Sequence, residues 1–223
     1  MLLHTLAGAG GASKPPVEIV AARSAVYGLY TGLPDYTLTS PSYQKDDMIV
    51  LWHCVQLSGT APATSPGYTS IFSANDPTYK RSFRLQYKIA TSSGTDSIFI
   101  DNDGSNKYII YIVLRNATRI GVNNFVNTGS SYGAVVPLPD MTGLNTTGRG
   151  MILAGPYYFE YLESPTSPYL RYQAFLKATL GTEYNTGKHP FVYVQNNTNS
   201  SLVSKTVTVT GGGYFKSWAL EVL

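Results

Sequence analysis

A chain of 223 residues is long enough to bury a substantial core, as one large β domain or two small ones. Charged residues make up only 13% and the net charge is +3, with lysines and arginines spread along the chain, which argues against a nucleic-acid-binding stripe. One cysteine, Cys54, excludes an internal disulfide framework, and no apolar run reaches the roughly 18 residues of a transmembrane helix.

The opening MLLHTLAGAGGASKPP has one charged side chain, Lys14. It lacks a basic n-region, and His4 and the glycines interrupt its apolar stretch, so it does not read as a signal peptide. Leu2, Leu3 and Leu6 read as apolar anchors, with Pro15-Pro16 as a stiff spacer. The expected organisation is an extended N-terminal arm over residues 1–16 and a single domain over residues 17–223.

Further on, the hydrophobic period is two. DDMIVLWHCVQL is apolar on both faces from Met48 to Leu57 and reads as a central strand covered on two sides. In SFRLQYKIAT, Phe83, Leu85, Tyr87 and Ile89 share one face while Arg84, Gln86 and Lys88 share the other, the pattern of a half-buried antiparallel strand. DSIFI and KYIIYIVLRNA, separated by DNDGSN, predict a hairpin. Residues 121–150 read as a long, polar, exposed loop. Strands are expected in RGMILAGPYYFEYL, YLRYQAFLKAT, HPFVYVQN, SLVSKTVTVT and YFKSWALEVL, with a helix as the alternative for residues 168–177. GGGYF, from Gly211 to Phe215, reads as a loop between two strands. The 18 tyrosines fit half-buried strands, and the 21 glycines and 13 prolines sit mainly between apolar runs. These features predict an all-β fold, an antiparallel β-sandwich.

Catalytic and metal-binding patterns are weak. His4, His53 and His189 lack HxH or HExxH spacing. His53 adjoins Cys54, but neighbouring side chains on a strand point to opposite faces, so a buried structural cysteine is the simpler reading. DNDG at Asp101–Gly104 starts like a calcium loop, yet its glycine comes at the fourth position and the twelfth residue is Ile112, which cannot ligate. GAGG and GGGYF lack the flanking elements of a nucleotide fingerprint. Asp46-Asp47, Glu160, Glu163 and Glu183 are carboxylates that a glycosidase can use, with nothing to select a pair. The expectation is a non-enzymatic protein with no cofactor and no metal. Sequons at Asn116, Asn145, Asn196 and Asn199 reflect Asn/Thr richness. Tyr157, Tyr158, Tyr161, Tyr169 and Tyr172, with Tyr184 and Tyr193, suit a subunit interface or a sugar-stacking surface, as well as ordinary strand packing.

Four phrases, DDMIVLWHCVQL, SPGYTSI, FRLQYKIATSSGTDSIFI and YIIYIVLRNA, together resemble a β-sandwich family of tailed-bacteriophage virion proteins. Members run through a strand after an acidic turn, a Pro-Gly-aromatic-Thr segment, a Tyr-Lys-x-Ala phrase, a hairpin and a strand ending in Arg. Tyr68 stands where Trp is often found, and Asn116 stands where Gly often follows the Arg. FKSWALEVL resembles the closing strand, so the resemblance covers about residues 46–223. It implies a jelly-roll-like structural component of the virion, synthesised in the bacterial host cytoplasm. Its expected partners are other virion proteins of the capsid, neck or tail and further copies of itself, with no nucleic acid and no membrane insertion. The alternatives are an adhesin binding host surface glycan and, behind it, a polysaccharide hydrolase.

Overall fold

The computed structural model describes residues 14–27, 36–56, 61–76, 81–100, 106–126, 133–145, 149–159, 182–184, 192–196, 201–203 and 206–223. Leu2, Leu3 and Leu6, and with them the expected arm up to residue 13, lie outside the described residues, as does the 168–177 segment. The described residues form strands β1 (Glu18–Tyr27), β2 (Tyr36–Thr39), β3 (Met48–Gln56), β4 (Thr69–Asp76), β5 (Arg81–Ile89), β6 (Ser97–Ile100), β7 (Asn106–Arg115) and β8 (Ile120–Val126). They continue as β9 (Gly133–Pro137), β10 (Met141–Thr142), β11 (Met151–Phe159), β12 (Thr182–Tyr184), β13 (Val192–Asn196), β14 (Ser201–Leu202) and β15 (Thr206–Val222).

Two antiparallel sheets make the body. The first runs β1-β7-β3-β5-β4, and the second runs β12-β13-β11-β15-β8, with β9 also paired to β15. Alternation along each strand supplies the core between them. Met48, Val50, Trp52 and Cys54 of β3 meet Met151 and Leu153 of β11 and Trp218, Leu220 and Val222 of β15. Phe83 extends this core to one side, packed on Phe125 and Phe72 at centroid distances of 4.7 and 6.1 Å. Phe72 and Phe125 touch at 5.7 Å and join the edge strands of the two sheets. The described residues therefore form an all-β antiparallel β-sandwich.

The central, two-sided character of MIVLWHCVQ holds. β3 is the middle strand of its sheet, and its other face carries Ile49 and Leu51 into a second apolar cluster. That cluster contains Leu38, Tyr43, Ala90, Ile109, Tyr111 and Val113, and Ile98 and Tyr68 pack on it. A ribbon of β2 and β6 supplies Leu38 and Ile98 to the cover. The outward face of the second sheet is buried as well. Ile152, Ala154, Ser217, Ala219 and Glu221 are all buried, and so are Leu138, Met141 and Leu144.

Three local expectations are corrected. β6 does not form a hairpin with β7; it pairs with β2, because both sides of β7 are taken by β1 and β3. The 121–150 region contains strands β8, β9 and β10 and buries Leu138, Met141 and Leu144 in place of an exposed loop. Gly211–Gly213 do not separate two strands, since β15 runs continuously from Thr206 to Val222. Its register against β9 shifts between Thr208 and Gly213, an irregularity that glycines accommodate without ending a strand.

Candidate functional site

The loops at one end of the first sheet meet on a single carboxylate, Asp96. Each reaches it for a local reason. Ser65–Tyr68 is a tight turn, closed by Tyr68 N donating to Ser65 O at 3.0 Å. Pro66 supplies the fixed backbone angle of its second position, and Gly67 takes φ +78° at its third. Gln86, fully buried on β5, fastens that turn. Its Oε1 accepts from Ser65 N at 2.9 Å and its Nε2 donates to Ser65 Oγ at 3.2 Å. Arg84 Nε donates to Pro62 O at 2.6 Å. The polar face of β5 is thus covered by the 61–68 segment and not bathed in solvent.

The turn delivers Tyr68 Oη to Asp96 Oδ2 at 2.6 Å. Tyr43 Oη donates to Asp96 Oδ1 at 2.9 Å, and Lys88 Nζ donates to the same oxygen at 2.7 Å. The Lys88 ammonium sits 4.8 Å from the Tyr43 ring centroid and 5.3 Å from that of Tyr68, within cation–π range. It also donates to Tyr43 Oη at 3.2 Å. Asp96 N in turn donates to Ser40 Oγ at 2.9 Å, and Ser40 N donates to Asp96 O at 2.7 Å.

Titration follows from these contacts. Burial pushes the Asp96 carboxyl up, but the hydrogen bonds from Lys88, Tyr68 and Tyr43 outweigh it and leave it below its ordinary value. Burial pulls Lys88 down, yet its bonds to Asp96 and Tyr43 leave it raised. Burial, then the bond to Asp96, pushes the Tyr68 phenol far up. The cluster is a fixed ion pair gripped by two tyrosine hydroxyls, and such charges hold loops more readily than they exchange protons.

A second node lies beside it. Asp47 Oδ1 accepts from Arg115 Nε at 3.1 Å, and Oδ2 accepts from the other guanidinium arm at 3.3 Å. Asp47 Oδ2 also accepts from Gln44 N at 2.8 Å. Asp46 takes φ +68°, and Ala90 locks the two loops together, its O accepting from Asp46 N and its N donating to Asp47 O, each at 2.8 Å. The hydrogen bond to Asp47 raises the Arg115 guanidinium. Asn116 adopts φ +63°, and its Nδ2 donates to Pro16 O at 3.0 Å. Glycine takes that backbone conformation freely, and asparagine is the side chain that tolerates it best.

On the second sheet, buried Glu221 accepts from Val122 N at 3.0 Å and Asn145 N at 2.6 Å. A Cβ on Gly121 would collide with this carboxylate.

The structure brings the four sequence phrases together at one end of the first sheet. Asp47, Tyr68, Lys88, Ala90, Asp96 and Arg115 belong to those phrases, although none was predicted as a site. Asp47, Tyr68 and Lys88 were marked only by lying at loop–strand boundaries within the phrases, and Asp96 had no local mark. Cys54 is buried in the sandwich core while half-buried His53 lies on the opposite face of β3, so the two do not form a dyad. Tyr157 and Tyr158 lie on β11, Glu183 and Tyr184 on β12, and Tyr193 on β13. The side chains of all five lie outside the described residues. So do Tyr161, Tyr169, Tyr172, Glu160, Glu163, His189 and the DNDG turn. Among the described residues no group of three or more His, Cys, Asp or Glu side chains is placed to hold a metal ion. No protein-family model, no curated protein and no solved structure matches the chain.

Proposed function

We propose that the chain is a non-enzymatic structural component of a tailed-phage virion, exposed on the particle as a capsid decoration or as a head- or tail-fibre module. It assembles as a symmetric oligomer with other virion proteins as partners. The observation that supports this reading most is the role of the phrases that resemble the virion family. Each fixes a loop: the acidic turn through Asp47 and Arg115, the Pro-Gly turn through Tyr68, and the Tyr-Lys-x-Ala phrase through Lys88 and Ala90. The carboxylates of Asp47, Asp96 and Glu221 accept hydrogen bonds from backbone amides or cations. That use suits a rigid building block whose edge strands pair with neighbouring subunits.

The test is particle composition. Virions are banded on a density gradient from a lysate producing this chain, then analysed by mass spectrometry and cryo-imaging. The expected result is the chain at a fixed copy number, with density at a symmetry axis. Its absence from banded virions, with the soluble protein running as a stable monomer, overturns the reading.

A further inference from the structure

The β2–β6 ribbon covers the outside of the first sheet, and the outward side chains described on the second are buried. Sheet edges remain for contact with other molecules. An edge whose backbone groups are unpaired attracts a further strand unless something blunts it. Among the described edge strands, three are blunted. β1 carries exposed Glu18 and Arg23 and a register irregularity between Ile19 and Ala21, and Arg23 is tied to Thr39 O at 3.0 Å. Along β8, Asn124 Oδ1 takes the Phe125 amide at 2.7 Å and Glu221 Oε2 takes the Val122 amide at 3.0 Å. β12 is three residues long.

β4 differs from all three. It is eight residues long, TSIFSAND, with no Lys, Arg or Pro. Among the described residues, hydrogen bonds reach it only from β5. Its polar-face row, Ser70, Ser73 and Asn75, is exposed and uncharged. Arg84 of β5 is already engaged beside that row, with Nε on Pro62 O at 2.6 Å and Nη1 on Ser70 Oγ at 2.9 Å. On the core face, Ile71, Phe72 and Ala74 of β4 and Phe125 of β8 pack on the core yet are only half-buried. This side of the sandwich joins a bare strand edge to a partly open apolar strip.

We infer that β4 is a self-association edge. It pairs antiparallel with β4 of a second copy and continues the five-stranded first sheet across a two-fold axis. The inference rests on the symmetric oligomer proposed above and names its contact. A second copy fits better than a charged partner. A row without charge gives such a partner nothing to pair with, whereas two neutral rows meet with no repulsion and bury no charge. A strand paired with itself sets residues of one face opposite each other, so the axis passes through a residue. At Ser73 it falls beyond the irregularity between Ser70 and Phe72. Ser73 then meets its own copy on the polar face, and Phe72 meets Ala74, large against small, on the core face.

Sedimentation of the full chain across a concentration series should show self-association. Ser73→Lys sets two ammonium groups against each other at the axis and should raise the dissociation constant at least roughly tenfold. Its unfolding midpoint should stay near the parent's, because Ser73 is exposed. Ser73→Cys tests the register independently. Cross-strand neighbours stand about 5 Å apart at Cβ, so mild oxidation should link the two copies. Cys54 is buried and serves as no competitor, and Thr91→Cys, exposed in the 90–96 loop, should link far more slowly. A monomer at every concentration, association untouched by Ser73→Lys, or equal cross-linking at both positions overturns the inference. Virion content is scored separately. Virions that carry the chain while its association ignores Ser73→Lys remove this edge and leave the virion reading standing. A Ser73→Lys-sensitive dimer absent from banded virions supports the edge and removes the virion reading.

Discussion

Tyr68 Oη donates to Asp96 Oδ2 across 2.6 Å, closing a contact between residues 28 positions apart. It anchors the Pro66-Gly67 turn to the 90–96 loop, and Lys88 and Tyr43 complete the grip on the same carboxylate. Replacing Asp96 with Asn keeps the size and removes the charge, and it turns an NH2 group either toward Tyr68 or toward Tyr43 and Lys88. We expect a loss of about 2 kcal/mol, in the lower part of the range for hydrogen bonds to charged groups because the site is partly solvated. Urea unfolding measures it.

The same cluster sets a pH window. The Asp96 carboxyl is lowered from its ordinary 3.8, so its contribution is present above that value and lost as pH falls through the lower folded value. The Lys88 ammonium is raised from 10.5, so its contribution is present below that value and lost as pH rises through the higher folded value. The cluster's contribution should therefore be flat from about pH 4 to pH 10 and fall off on both sides. In Asp96→Asn the acid fall should shrink relative to the parent. An acid limb of unchanged size, measured by urea midpoint against pH, contradicts this.

Asp47 and Arg115 should not be equivalent. Asp47 is buried and serves both the guanidinium and Gln44 N, while the Arg115 side chain is 37% exposed. Asp47→Ala removes the amide acceptor and one end of the pair, and should cost about 3 kcal/mol. Arg115→Ala should cost clearly less, because water can reach the freed space. Equal losses in thermal unfolding would mean the backbone bond to Gln44 contributes nothing.

These nodes show what the sequence could reveal. The period-two run through Phe83 and Leu85 and the doubly apolar β3 were legible, because burial on a sheet face leaves a local imprint. The burial of Gln86 was not, since a polar residue in an alternating strand signals solvent unless a distant segment covers it. The covering segment, residues 61–68, lies before β4 in the chain, and nothing in its own pattern names the strand it covers. The pairing of β6 with β2 was hidden for a similar reason: adjacency in sequence favours a hairpin, and only the occupied edges of β7 exclude it. Asp96 itself had no local mark, as its partners come from three other segments.

Asn116 offers a test of backbone conformation. At φ +63° it occupies the left-handed region, and its side chain also donates to Pro16 O. Asn116→Gly should stay within about 1 kcal/mol of the parent, because relief of backbone strain offsets the lost hydrogen bond. Asn116→Val places a branched side chain in that region and should cost about 2 kcal/mol. The order Gly above Val in melting temperature is the expected result, and the reverse order would contradict the conformation.

Gly121 and Glu221 should be energetically coupled. Glu221 lies buried on β15 and binds the amides of Val122 and Asn145, and its carboxylate fills the space where a Cβ on Gly121 would go. Gly121→Ala therefore forces the carboxylate off one or both amides, or moves β8 away from β15. Either response should cost about 2–3 kcal/mol, in the range of overpacked interiors. The double-mutant cycle separates this from an ordinary loss of glycine flexibility. In a Glu221→Ala background the obstacle is gone, so Gly121→Ala should cost less than about 1 kcal/mol, giving a coupling of about 1–2 kcal/mol. If Gly121→Ala costs the same in both backgrounds, the carboxylate is not what reserves that position for glycine.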